Sequence, residues 1–238
     1  GSTDGTYEAV NKSYPKVNII EGTGRLYWNQ GMHLAWKTAV NSKDFDYYLW
    51  LNDDTFIYIH SLSEMLDISI NNTNEVIVVG STIDPFQKKV SYGGVLKDKS
   101  LVIPNDNIQE CNTFNGNVVL ISRFVFRKLG YNDVHYIHYF GDTDYSLRAK
   151  GQSIKLLVAY NFIGECSMRD QVRNCFDPEI NILKRMRHLY TPLGHNPIQF
   201  FRLDLTHKGI FVAIFHFITI HIRAFHPSFW EMLKKKST

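Results

Sequence analysis

Tyr47-Tyr48-Leu49-Trp50-Leu51-Asn52-Asp53-Asp54 is a near-continuous apolar run that stops abruptly at an amide and two acids. Five apolar residues without polar alternation predict a strand buried on both faces, the texture of a sheet covered by helices on each side. The acids then stand just past the strand's C-terminal end, where open α/β sheets bind ligands. Upstream, Met32–Val40 has helical spacing and follows a loop carrying Gly22, Gly24 and Gly31. Val17-Asn18-Ile19-Ile20 reads as a short strand, and Asp4 or Thr3 as the cap of a helix that runs to about Tyr14 and stops at Pro15. Downstream, Ser61 opens a helix to about Ile70, with Ser-Leu-Ser-Glu as a capping box, and Val76–Val79 is a second buried strand. Val90–Tyr92 and Val95-Leu96 around Gly93-Gly94 read as a hairpin. Asn117–Ile121 is a strand, Arg123–Leu129 a helix closed by Gly130, Asp142–Lys150 a helix and Ile154–Ala159 a strand. This alternation predicts an α/β fold with a mainly parallel sheet.

Composition narrows the function classes. An aromatic content of 14% and a net charge of only +3 over 238 residues exclude a disordered chain. No apolar stretch reaches the roughly 18 residues of a membrane span. Three cysteines (Cys111, Cys166, Cys175) without a C-x-x-C pair are small buried side chains rather than a disulfide framework. With no signal sequence at its start, the chain is expected in a reducing, cytoplasmic setting. Charge is uneven. Residues 1–180 carry 17 Lys/Arg against 21 Asp/Glu, a net of −4, and residues 181–238 carry 9 against 2, a net of +7. An acidic body suits cations and their complexes; a basic tail suits an anionic surface, with a merely solvated tail as the alternative.

Three stretches hold chemistry. Adjacent carboxylates at Asp53 and Asp54 repel unless solvated or neutralised, and a divalent cation neutralises them and in turn holds a diphosphate; an Asx turn is the structural alternative. Asp142 opens a helix whose N-terminus stabilises its charge, and a carboxylate facing a ligand there serves as a general base. Simple capping plus an Asp144–Arg148 i,i+4 pair is the rival reading. In the loop from Gly22 to His33, glycines allow close backbone approach, Arg25 suits phosphate, and Tyr27 and Trp28 suit stacking. The ten histidines show no metal-binding spacing.

Taken in order, these motifs resemble the family 2 glycosyltransferases of the GT-A fold, particularly their bacterial rhamnosyltransferase-like branch. Gly1-Ser2-Thr3-Asp4-Gly5-Thr6 is similar to the end of that family's D-D-G-S-T-D-G-T turn, and Leu26–His33 to its L-W-W-x-G-G-M-N loop. Trp50–Thr55 stands in the place of its D-x-D-type motif, Phe114-Asn115-Gly116-Asn117 in that of its N-G-N stretch, and Gly141–Arg148 in that of its E-D-x-D-x-x-x-R helix start. The resemblance covers residues 1 to about 167. It implies a Rossmann-like nucleotide-diphospho-sugar transferase unit over residues 1–180, with a mixed, mainly parallel sheet flanked by helices, followed by a helical extension over 181–238. The family's usual opening strand, helix and strand have no counterpart here, so the unit is expected to be N-terminally incomplete.

By position, the resemblance implies that Asp54 ligates Mn2+ or Mg2+ on the donor diphosphate, with Asp53 supporting the ribose or the metal shell. Glu165 stands where the family often has a metal-binding His. Asp4, Arg25, Trp28, Asn29, Gly31, His33 and Asn52 fall on the donor side, and Asn115, Gly116, Asn117, Asp144 and Arg148 on the acceptor side, with Asp142 as base. Gly141 replaces the family's first acid. The implied reaction is inverting transfer from a nucleoside-diphosphate sugar (dTDP-rhamnose or a UDP-sugar) to a lipid-linked or oligosaccharide hydroxyl, in bacterial surface polysaccharide assembly. A nucleotidyltransferase and a non-catalytic nucleotide-sugar-binding relative are the rivals. In the tail, Phe211, Ile214, Phe215, Ile218 and Ile222 share one helical face, and Arg223, Trp230 and Lys234-Lys235-Lys236 follow. Residues 209–236 therefore read as an interfacial helix on an anionic membrane, with packing on protein as the alternative and no nucleic-acid partner.

Overall fold

A computed structural model describes residues 1–168 and 174–230 of the chain. In chain order the elements are α1 (Thr6–Ser13), α2 (Tyr27–Ser42), β1 (Tyr47–Leu51), β2 (Phe56–Ile57), α3 (Ser61–Asn71), β3 (Val76–Ile83), β4 (Val90–Tyr92), β5 (Gly94–Val95), β6 (Gln109–Glu110), β7 (Thr113–Phe114), β8 (Val118–Ser122), α4 (Arg123–Leu129), α5 (Gly141–Gly151), β9 (Lys155–Glu165), α6 (Ile182–Leu189), α7 (Pro197–His207) and α8 (Ile210–Phe225). The main sheet runs β1-β8-β3-β9-β2, with β4 added on β3 and β6 on β9; β5 and β7 form a small separate pair. Strand β8 is antiparallel to both β1 and β3, and β3 is parallel to β9. Three of the four long strands thus share one direction, so the ends of β1, β3 and β9 lie on the same side.

The alternation within each strand divides the core. Ile77 and Val79, Val119 and Ile121, and Leu156 and Val158 point to one face, where Trp36 of α2, Val125 of α4 and Tyr145 of α5 cover them. Val76 and Val78, Val118 and Leu120, and Leu157 and Ala159 point to the other, covered by Met65 and Ile68 of α3. Both faces exclude water, which is why these strands are apolar throughout. Strand β1 departs from its expected double burial: Tyr48 and Trp50 are buried, while Tyr47 and Leu49 on the opposite face are half-covered.

Several local expectations are corrected. Val17–Ile20 forms no strand, because no neighbouring strand pairs with it. Val90–Tyr92 and Gly94-Val95 are not a hairpin; Gly93, at φ 150°, turns the chain so that β4 joins β3 and β5 joins β7. The capping box at Ser61 does not form. Its hydroxyl donates to the Ile163 carbonyl at 2.5 Å, and the Glu64 carboxylate accepts from Asn161 instead. Helix α2 begins five residues earlier than its apolar spacing indicates, at Tyr27.

The C-terminal helices have an apolar cluster of their own, with Cys175, Phe176, Leu189, Ile220 and Ala224. Buried Arg185 donates to the carbonyls of Ala224 and Phe225, closing the C-terminal end of α8. Helix α7 fastens this unit to the rest. Gln199 accepts from the Ile137 N–H, Arg202 pairs with Asp133 at 2.9 Å, and His207 meets Asp144 of α5 at 2.9 Å.

Candidate active site

The shared end of β1, β3 and β9 gathers the chemistry. Past Leu51, the Asn52 N–H donates to the Asn117 carbonyl at 3.0 Å and the Thr55 N–H returns to the Asn52 carbonyl at 3.2 Å. The acids at 53 and 54 therefore sit on a closed turn, with Asp53 exposed and Asp54 half-buried. The Trp28 indole donates through Nε1 to Asn52 Oδ1 at 2.7 Å. Its ring lies so close over Gly116 that a Cβ there would stand 2.3 Å from Cζ2. Glycine at 116 is thus a requirement of contact, not of backbone angle.

Asp142 meets the same segment from the other side. Its Oδ2 accepts the Gly116 N–H at 3.2 Å and its Oδ1 accepts the Thr143 N–H at 2.7 Å. Ser146, one turn on, accepts from the Phe114 N–H and donates to the Asp142 carbonyl, which pins the start of α5 to β7. From Asn117 the contacts continue outward: its amide donates to Cys166 Sγ at 3.7 Å, and the thiol donates to Asp54 Oδ1 at 3.8 Å. The segment 114–117 thus touches Asp142 directly, through the Gly116 N–H, and is linked to Asp54 through the Cys166 thiol.

Electrostatics distinguish the two. Burial pushes the Asp142 carboxyl above the usual carboxylate range, against the pull of the Thr143 and Gly116 hydrogen bonds. A raised carboxyl that keeps its donors is a better proton acceptor than a solvated one. Burial likewise raises Cys166, so it stays a thiol and donates.

Other residues assigned from sequence have structural partners. Asn29 is wholly buried; its amide donates to the Asp133 and Tyr136 carbonyls at 2.8 and 2.6 Å, and Asn132 donates to its Oδ1 at 2.6 Å. His33 contacts the Asn132 carbonyl through Nδ1 at 2.8 Å. These two staple α2 to the 130–138 loop. Asp144 is buried between Arg148 and His207, and Arg148 also donates to the carbonyls of Leu129 and Tyr131. Asn115 is engaged with Gly93 through its amide oxygen and its backbone N–H. Asp4 is exposed and closes its own Asx turn with Thr6. Arg25 is exposed, with no ion pair among the described residues. A Cβ at Gly31 would meet nothing within 4 Å. Glu165 ends β9, its carboxylate 3.4 Å from the Tyr58 hydroxyl.

One residue escaped the sequence reading. Asp84 follows the end of β3, is buried, and accepts three backbone N–H groups, from Phe86, Gln87 and Met168, at 2.8, 2.7 and 2.6 Å. The Gln87 and Met168 bonds hold its carboxyl below the usual range. It fixes the segment after Glu165 and Cys166 against β3, so it positions one wall of the site. An acid directly after a buried strand was the available signal.

Among the described residues no cluster of three His, Cys, Asp or Glu side chains forms a closed metal cage. The donors still fit a divalent ion of the Mg2+ type. Such ions take one or two carboxylates from the protein and complete their shell with substrate phosphates and water. Asp54 and exposed Asp53, adjacent on one turn, are carboxylates of that kind.

Compared by sequence, the chain matches no family model and no curated protein at a significant level. Compared by fold, it is similar to the crystal structure of GalNAc-T7 with UDP, GalNAc and Mn2+. The TM-score is 0.52 at 14% identity, over 70% of this chain and 34% of that one. The chain therefore spans about a third of that protein's length. The likeness shows the fold alone, the GT-A fold, and does not single out the bacterial rhamnosyltransferase-like branch.

Proposed function

We propose that the chain carries the reaction centre of an inverting glycosyltransferase that uses a nucleoside-diphosphate sugar. The observation that carries this reading is the carboxyl of Asp142, raised by burial and held by the Gly116 N–H, next to Asn117, which is linked to Asp54 through the Cys166 thiol. Asp142 takes the proton of the acceptor hydroxyl as that oxygen forms its bond to the anomeric carbon. The bond from the same carbon to the diphosphate breaks, and the nucleoside diphosphate departs with the electron pair. Attack opposite the leaving group inverts the configuration, with no sugar–protein intermediate. Asp54 and Asp53 would hold Mn2+ or Mg2+, which supplies Lewis-acid charge neutralisation at the diphosphate. Trp28, fixed by Asn52, offers an aromatic wall beside Gly116 against which a ring can pack.

The reading extends to assembly of a bacterial surface polysaccharide on the cytoplasmic face of the membrane. The donor would be dTDP-rhamnose or a UDP-sugar, the acceptor lipid-linked or an oligosaccharide; the motif order in the sequence supports these. A division between the sheet unit and the C-terminal helices is supported by the apolar cluster of Cys175, Phe176, Leu189, Ile220 and Ala224, which begins a few residues before 180.

The test is Mn2+-dependent hydrolysis of a panel of nucleotide sugars, compared with nucleoside triphosphates. Turnover of a nucleotide sugar that Asp54→Ala abolishes while circular dichroism is unchanged supports the proposal. Pyrophosphate release from a triphosphate would instead identify a nucleotidyltransferase, and binding without turnover a binding module.

A further inference from the structure

Helix α8 is apolar nearly all round, yet only one face is covered. Ala213, Ile220 and Ala224 are buried against α6 and α7. Around the helix from them, Phe211, Ile214, Phe215, Ile218, Ile222 and Phe225 recur every three or four residues and stand in solvent, Phe211 at 86% and Phe215 at 62% exposure. A stripe of that length marks an interaction surface rather than scattered exposure.

Charge decides what covers it. Between residues 181 and 230 the only acid is Asp204, which is buried and ion-paired with Lys208 at 2.8 Å and His216 at 2.6 Å. Lys184 and Arg187 on α6 are exposed, and the sequence from 181 to the end carries a net charge of +7. A second copy would set two acid-poor, net positive C-terminal segments against each other. An anionic lipid surface offers both an apolar interior for the stripe and headgroups for the cations. Trp230, five residues beyond the end of α8 and following Phe229 at 49% exposure, is an amphipathic aromatic, the residue type that favours the headgroup level. The helix has 16 residues, about 24 Å, against the roughly 30 Å of a hydrocarbon core, and no described helix is long and apolar enough to cross a membrane.

We infer that α8 lies in the interface of an anionic membrane with the Phe211–Phe225 stripe immersed. The contacts of α7 with Ile137, Asp133 and Asp144 then tie the helix bearing Asp142 to that surface, independently of which sugar is transferred.

The full chain is sedimented with phosphatidylcholine vesicles, with or without phosphatidylglycerol, at low and high salt. Co-sedimentation with the anionic vesicles, weakened by salt and lowered at least about tenfold in Phe211→Ser/Phe215→Ser/Ile218→Ser, is the expected result. Because that variant carries three changes, Phe211→Trp serves as a second probe, its fluorescence being quenched by bromine-labelled lipid. Absence of vesicle binding by the wild-type chain overturns the inference, whether the chain is monomeric, self-associates through the stripe or binds an acidic protein there. Equal binding by the triple variant, or an unquenched Trp at 211, overturns it as well.

Discussion

Two helical glycines ought to respond oppositely to alanine. Gly31 lies inside α2, where a Cβ would meet nothing within 4 Å, and its φ is not positive. Gly31→Ala removes unfolded-state freedom and adds no clash, so it is expected to stabilise by about 0.5–1 kcal/mol. Gly141 opens α5. Its φ is also not positive, so backbone conformation does not oppose alanine. Space does: the new Cβ would lie 1.7 Å from Oδ1 and 2.3 Å from Cγ of Asn29. Asn29 cannot swing aside cheaply. It is wholly buried, donates to two carbonyls and accepts from Asn132. Overpacking costs about 1–3 kcal/mol. Each buried polar group left unpaired by a displaced amide adds about 1–3 kcal/mol. Gly141→Ala is therefore expected to destabilise by about 3–5 kcal/mol. Urea unfolding followed by far-UV circular dichroism reads both variants as midpoint shifts of opposite sign. A neutral Gly141→Ala would mean that Asn29 does not occupy this position, and the account of α2 stapled to α5 and its loop would fail with it. The same pair carries a functional readout. If the open space beside Gly31 receives the donor, Gly31→Ala raises KM while raising stability.

Asp142→Asn removes the proposed base, and an activity loss of about 10²–10⁴-fold is expected in the nucleotide-sugar assay. Its stability follows a different course: at every pH the amide loses one of the two acceptors for the Gly116 and Thr143 N–H groups, but it also carries no charge to bury. A carboxyl raised in the folded state costs stability as pH rises through the interval from the ordinary carboxylate value to the folded one, and the cost then stays level. The variant's stability relative to wild type should therefore rise from acid to neutral pH in paired denaturation curves; a fall over that range would contradict the burial of Asp142. Asp84→Ala leaves three backbone N–H groups without their carboxylate and is expected to cost about 3 kcal/mol at neutral pH. As the Asp84 carboxyl is lowered in the fold, this gap should close as pH falls below the ordinary range, and a gap that persists in acid would refute the assignment.

The legible parts of the fold were those whose signal is local. Tyr47–Leu51 forms β1 with the predicted bounds, since a five-residue apolar run closed by Asn52-Asp53-Asp54 is too short for a buried helix. Arg123–Leu129 is bounded as read, because Ser122 caps it through its hydroxyl and Gly130 ends it at φ 70°. Elements defined by partners were not legible. Strands β2, β6 and β7 are two residues each and exist through pairing with distant segments. Val17–Ile20 has strand composition but no neighbour. In the site, Asp54 and Asp142 were legible as acids at element ends. The anchoring of Asn29, 103 residues from Asn132, has no periodicity to announce it.

The two acids at the start of α5 show why a motif alone assigns too many ligands. Residues two apart on a helix point about 200° apart, so Asp142 and Asp144 cannot both face one substrate. The structure gives the outer role to Asp142 and the inner one to Asp144, which is 3% exposed at its side chain between Arg148 at 2.8 Å and His207 at 2.9 Å. Arg148 also holds the Leu129 and Tyr131 carbonyls, so this pair fixes the back of the helix while Gly116 meets its front. Asp144 is thus a positioning residue. Asp144→Asn leaves the guanidinium and imidazole without their carboxylate, and removing one partner of such a buried pair costs about 3–5 kcal/mol. Its activity loss should follow from a displaced Asp142. It should therefore lower both stability and kcat, whereas Asp142→Asn lowers kcat by removing the base itself. Were Asp144→Asn to abolish turnover with its denaturation midpoint unchanged, the inner and outer roles drawn for the two acids would have to be exchanged.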